Sequence, residues 1–149
     1  MKILIINGPN LNLLGRREPE IYGTQSFSTY YELLKKKYET HQIDCRQTNH
    51  EGTIIDWLQE AESQYDGIIL NPAAYTHTSI AIADCLKAIN IPVVEVHISD
   101  IRKREKFRQH SYISPLAAQT IMGKGLKSYD LGIDFLIQQN ISKPQNSKD

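Results

Sequence analysis

Glu95 and His97 stand two residues apart in the stretch Pro92 to Ile98, whose apolar residues read as a strand. Alternate residues of a strand point to the same side, so the carboxylate and the imidazole share a face. A carboxylate beside an imidazole fixes its tautomer and holds it as an acid or a base. Such a pair at the end of a buried parallel strand is hard to explain as core. Tyr22 is the second candidate. A free phenol, with a pKa of about 10, is a poor base at neutral pH, but a nearby guanidinium favours the phenolate. Arg16 and Arg17 lie upstream in the same loop, and a fold-back would bring a cation to Tyr22. The other reading is a tyrosine that packs the loop onto the domain. His77 lies in a polar loop with Asn71, Thr76, Thr78 and Ser79, and the helix that follows offers free N–H groups to an anion. Arg102, Lys103, Arg104, Lys106 and Arg108 form a basic run. Most of it suits a solvated helix face, and one or two members could clamp a carboxylate. His50 and His110 are weaker candidates, and His41 belongs on the surface.

The elements that must position these groups alternate in type. Strands are expected at Lys2 to Asn7, Ile43 to Thr48, Gly67 to Asn71, Pro92 to Ile98 and, less clearly, Ala118 to Met122. Helical spacing runs from an N-cap at Ser26 to Thr40, from Thr53 to Gln64, from Ser79 to Ala88 and from Gly125 to Gln138. Asn7 to Gly23 is longer than the usual strand-to-helix connection of about 2–6 residues. Its asparagines, arginines and tyrosine suit an active-site lid. Five strands alternating with helices argue a parallel sheet covered on both faces. With right-handed crossovers this is a flavodoxin-like, doubly wound α/β domain of strand order 2-1-3-4-5. Ligands bind such sheets beyond the carboxyl ends of the strands, near the switch point. The richest polar segments follow strands one, three and four, so they should converge there. Residues 1–140 read as one catalytic domain and 141–149 as a polar, disordered tail.

Composition narrows the function. The chain has 149 residues, with 17 basic and 17 acidic side chains. A neutral chain has no general field to attract nucleic acid or an anionic membrane. No apolar run approaches the roughly 20 residues that span a bilayer, and Lys2 leads directly into a strand rather than a signal peptide. Cys45 and Cys85 suit a reducing compartment and core packing. A cytoplasmic protein is therefore expected. There is no phosphate loop, dinucleotide fingerprint, nucleophile elbow or zinc spacing. A site here should work without metal or nucleotide.

GPNLNLLGRREPEIYG, NPAAYTHTSIAIAD, EVHIS and FRQHSY, in this order and spacing, resemble the type II 3-dehydroquinate dehydratases from about Ile3 to Leu136. The resemblance implies trans-dehydration of 3-dehydroquinate to 3-dehydroshikimate through an enolate, in the shikimate or quinate pathway, without a cofactor. It implies Tyr22 as the base at C2, with Arg17 stabilising its phenolate. Asn10 would sit by the enolate, holding a water. His97 would be the acid for the C1 hydroxyl, with Glu95 orienting it. Asn71, His77, Ile98, Ser99 and Arg108 would bind substrate, and Asp84 would reach a neighbouring subunit's site in a dodecamer of four trimers. Ala73 stands where that family usually has glycine, Asp100 where it has asparagine, and Ser128 where glycine is common. A non-catalytic flavodoxin-like binding module is the alternative. It would cluster acidic residues after strand one, where this chain has Asn7 and Asn10.

Overall fold

The computed structural model describes residues 1–16 and 18–143, and the backbone alone of Pro19 and Tyr22. Arg17 and residues 144–149 of the expected tail therefore lie outside the described residues, as does the side chain of Tyr22.

The strands are β1 (Lys2–Asn7), β2 (Gln42–Gln47), β3 (Gly67–Asn71), β4 (Val93–Val96) and β5 (Gln119–Ile121). They form one sheet in the order β2-β1-β3-β4-β5, and every pairing is parallel. The helices are α1 (Pro19–Tyr22), α2 (Phe27–Lys37), α3 (Glu51–Gln64), α4 (Ile80–Ala88) and α5 (Lys127–Ser142). The expected doubly wound fold is the observed one.

Alternation along the strands builds two cores. Ile3 and Ile5 of β1, Ile69 of β3 and Val94 and Val96 of β4 pack with α2 and α5. Leu4, Ile6, Ile68, Leu70 and Val93 point the other way and pack with α3 and α4. Burying an aliphatic side chain of this size contributes about 1.5–3 kcal/mol. Glu95 has the parity of Val93, so a carboxylate is carried into the second layer among apolar residues.

Local signals set most helix ends. Ser26 caps α2, its hydroxyl accepting from the Thr29 N–H at 3.3 Å, and Ser79 caps α4 through the Ile82 N–H at 2.9 Å. The expected continuation of α2 to Thr40 is wrong. Tyr38 leaves the helix, and its hydroxyl donates to Asp134 Oδ1 on α5 at 2.7 Å. Tyr30 donates to Asp130, and Lys37 Nζ lies 2.7 Å from Asp130 Oδ2. These bonds tie α2 to α5. The last helix starts later than expected, at Lys127, and runs on to Ser142. β4 stops at Val96, so His97 lies just past the strand and is held by its N–H to the Ile121 carbonyl at 2.9 Å. The loop after β1 is not structureless: it holds a 3-10 turn, Leu11–Leu13, and the single turn of α1.

One close approach joins the loops after β1 and β3, and another folds the loop after β1 back on itself. The Gly8 N–H donates to the Asn71 carbonyl at 2.8 Å. A Cβ at Gly8 would stand 2.6 Å from the Pro72 carbonyl oxygen, a distance no side chain permits. Gly15, at φ 94°, turns the loop back so tightly that a Cβ would meet the Thr24 carbonyl at 2.8 Å.

Candidate active site

At the carboxyl ends of β1, β3 and β4 lies a pocket of about 250 Å³. Asn10, Asn71, His77, His97, Ile98, Ser99 and Arg108 all line it. The convergence expected from strand order therefore occurs. In-register pairing of Asn7 with Asn71 and of Leu70 with Glu95 sets the three strand ends side by side.

Glu95 and His97 form a buried pair at the end of β4. His97 Nε2 is 2.7 Å from Glu95 Oε2, and the two residues are 5% and 0% exposed. Three hydroxyls complete the carboxylate's shell. Ser111 donates to Oε2 at 2.7 Å, while Ser114 and Thr120, at 3.1 Å, donate to Oε1. Burial pushes the carboxyl up, but the bond and charge of His97 and the serine hydroxyls outweigh it and hold the group below its ordinary value. An ionised carboxylate has no hydrogen to give, so the proton between the pair belongs to Nε2. Nδ1 is then the ring atom that can exchange a proton within the pocket.

Asn10 has φ 69°, a left-handed conformation that asparagine tolerates better than most residues. Its N–H donates to Asn49 Oδ1 at 3.1 Å, and Gln47 donates to that same oxygen at 3.1 Å. The Asn71 amide is tied at both ends, Oδ1 accepting from the Ala73 N–H at 3.1 Å and Nδ2 donating to Tyr129 Oη at 2.9 Å. Ala73 has φ 52°, a conformation that costs a residue with a Cβ about 1–2 kcal/mol.

His77 Nδ1 lies 2.7 Å from the His110 carbonyl, which can only accept. Nδ1 therefore carries the hydrogen, and Nε2 is an acceptor in the neutral ring. Burial, chiefly, lowers the pKa of His77 and favours that neutral form. Arg108 Nε is 2.8 Å from Glu105 Oε2, an ion-pair distance without hydrogen-bond alignment.

Arg104, one of five cations in the basic run, is a pocket residue that its sequence surroundings do not distinguish. It lines the pocket, and its Nη1 donates to Ser99 Oγ at 3.1 Å. Its side chain is only 12% exposed, against 74% for Arg102. Arg102 instead forks onto Asp100, with Nε and Nη2 each 2.9 Å from a carboxylate oxygen, and holds that carboxyl at about 2. The Asp100 departure is thus answered by its own neighbour, outside the pocket. Ser128 is fully buried and its hydroxyl lacks a partner among the described residues. Asp84 is exposed on α4 and does not line this pocket.

Tyr22 closes α1, and its neighbours Ile21 and Gly23 line an open groove that shares Ile98 with the main pocket. Burial raises the Cys45 thiol to about 12, in keeping with a packing role. Among the described residues no three His, Cys, Asp or Glu side chains gather as a metal site requires, and no helix is long and apolar enough to cross a membrane.

The family model "Dehydroquinase class II" matches residues 1–137. A 3-dehydroquinate dehydratase from Variovorax paradoxus is 49% identical over 143 residues, covering 91% of this chain and 98% of the relative. One from Halalkalibacterium halodurans is 49% identical over 138 residues, covering 91% and 95%. Among solved structures, the type II dehydroquinase of Butyrivibrio crossotus superposes with a TM-score of 0.89 at 47% identity, over 92% of this chain and 97% of that one.

Proposed function

The chain belongs to the class II dehydroquinase family, and from that premise we propose how its residues divide the work. It is a hydro-lyase that dehydrates 3-dehydroquinate to 3-dehydroshikimate, a step of the shikimate pathway. Removing a proton next to a ketone requires a positioned base, preorganised donors for the enolate oxygen and an acid for the departing hydroxyl.

Tyr22 takes the C2 proton as phenolate, with Arg17 as its cation. Support for this pair is the matching motif and the placement of the α1 turn beside the pocket. Asn10 serves the enolate oxygen through a held water. His97 delivers a proton from Nδ1 to the C1 hydroxyl, and Glu95 keeps Nε2–H engaged so that the ring cannot turn. Ser99, Ile98 and the guanidinium groups of Arg104 and Arg108 suit a substrate that carries a carboxylate and several hydroxyls. His77 Nε2 accepts from a hydroxyl, and Asn71 offers both an N–H and a lone pair. No resident cofactor takes part in this scheme.

The single observation that carries the scheme is the buried Glu95–His97 pair at the wall of a polar pocket. Purified protein mixed with 3-dehydroquinate should develop the absorbance of the conjugated enone. No growth in absorbance would overturn the assignment.

We extend the proposal to the assembly. Asp84 completes the pocket of a neighbour in a dodecamer of four trimers. Two features support a subunit contact there: Ile80, one helical turn before Asp84, is 59% exposed, and Phe107, next to Arg108, is 69% exposed. The enzyme is expected in the cytoplasm, with residues 1–140 as its catalytic unit.

A further inference from the structure

Tyr129 sits on α5 with no exposed surface, yet its hydroxyl joins the ends of two neighbouring strands. It donates to Asn7 Oδ1 at 2.7 Å and accepts from Asn71 Nδ2 at 2.9 Å. Phe27 packs against its ring at 4.8 Å between centroids. The direction of the chain is determined. Asn71 Oδ1 receives the Ala73 N–H, so the other end of that amide must be Nδ2. Nδ2 can only donate, so Tyr129 Oη accepts from it and gives its own hydrogen to Asn7.

Asn71 lines the pocket, whereas Asn7 and Tyr129 do not. The geometry points to Tyr129 as a positioning residue for the dehydration, one that sets the Asn71 amide through the Asn7–Tyr129–Asn71 relay. Without the hydroxyl, the Asn71 Nδ2 loses its buried acceptor and only the Ala73 N–H opposes a flip of the amide. A flipped amide exchanges donor for acceptor where substrate binds. This inference rests on Asn71 binding substrate.

The test is a double-mutant cycle on kcat and KM, made with Tyr129→Phe and Asn71→Ala. Phenylalanine keeps the ring and its packing. Alone, Tyr129→Phe should raise KM about tenfold, the scale set by one misdirected hydrogen bond, and change kcat less. In the Asn71→Ala background it should change KM less than about twofold, because the group it acts through is gone. A purely structural role would lower Tm and leave KM unchanged, or change KM equally in both backgrounds; either result overturns the inference. Should Tyr129→Phe fail to fold, Asn7→Ala decides. It frees the hydroxyl to turn toward Asn71 and should raise KM in the same direction, and an unchanged KM would overturn the inference too. An Asn71→Ala enzyme with wild-type KM would instead remove Asn71 from substrate binding, and the inference with it. A raised KM for Asn71→Ala beside an unchanged KM for Tyr129→Phe refutes the role of Tyr129 alone.

Discussion

Glu95→Gln separates the charge of the buried carboxylate from its shape. Oε2 accepts from His97 and Ser111, and Oε1 from Ser114 and Thr120. A glutamine can place its oxygen toward His97 and Ser111 and its NH₂ toward Ser114 and Thr120. Those two hydroxyls can rotate to accept. The fold should survive, and His97 should keep its tautomer, because an amide oxygen still takes Nε2–H. Only the charge is lost. Two unit charges about 4 Å apart interact by about 4 kcal/mol at an effective dielectric near 20, which bounds the loss at roughly a thousandfold in rate. We expect kcat to fall by about 10²–10³ with KM little changed. Folding stability supplies a second readout. Glu95 titrates below its ordinary 4.5 in the folded protein, so its ionised form adds stability above that pH, and the contribution is lost as pH falls through the folded value. Glu95→Gln should flatten the decline in Tm below pH 4.5. The assays are enone absorbance across pH and thermal unfolding across pH. A variant that kept more than a tenth of wild-type kcat would refute the reasoning.

Tyr22→Phe should cut kcat by at least the about 10²–10⁴-fold of general base catalysis while substrate still binds, measured by turnover and by calorimetric titration. Arg17→Ala should act in the same direction and Arg17→Lys recover only part, since an ammonium lacks the planar fork. Mixing inactive Asp84→Ala subunits with inactive Tyr22→Phe subunits should restore some activity through shared sites, whereas a fully active monomer in a sedimentation assay would remove Asp84 from a neighbour's pocket. Borohydride added during turnover should trap no adduct, because no lysine lines the pocket among the described residues; a stable lysine adduct in the intact mass, with matching loss of activity, would replace the enolate route by a Schiff base.

Periodicity and strand order were enough to place the pocket. Alternation along β1, β3 and β4 assigns each residue to a face, and parallel order brings three loops to one end. The spacing of Glu95 and His97 was legible for that reason. The shell around Glu95 was not, since Ser111, Ser114 and Thr120 come from later segments, and spacing within one element says nothing about contacts between distant ones. Arg104 was hidden in a run where Arg102 looks the same; only the fold shows that one lines the pocket, mostly covered, and the other pairs with Asp100. The left-handed backbone at Ala73 was not legible from the residue itself, because an alanine carries no sign of it; only the glycine usual at that position in the family points that way. The overlong α2 has a similar cause: Tyr38 keeps the helical spacing but is drawn off by Asp134.

The Tyr129 relay also sets an order of events during synthesis. Its hydroxyl reaches back 122 positions to Asn7 and 58 to Asn71. Among the described residues the pocket's lining ends at Arg108, so these wall residues leave the ribosome before the side chain that orients the Asn71 amide. Contacts of such separation form late, because the loops they close must be ordered first. A growing chain can therefore carry these lining residues and still bind weakly, until the last helix docks and delivers Tyr129. Tight binding of substrate then marks a finished chain.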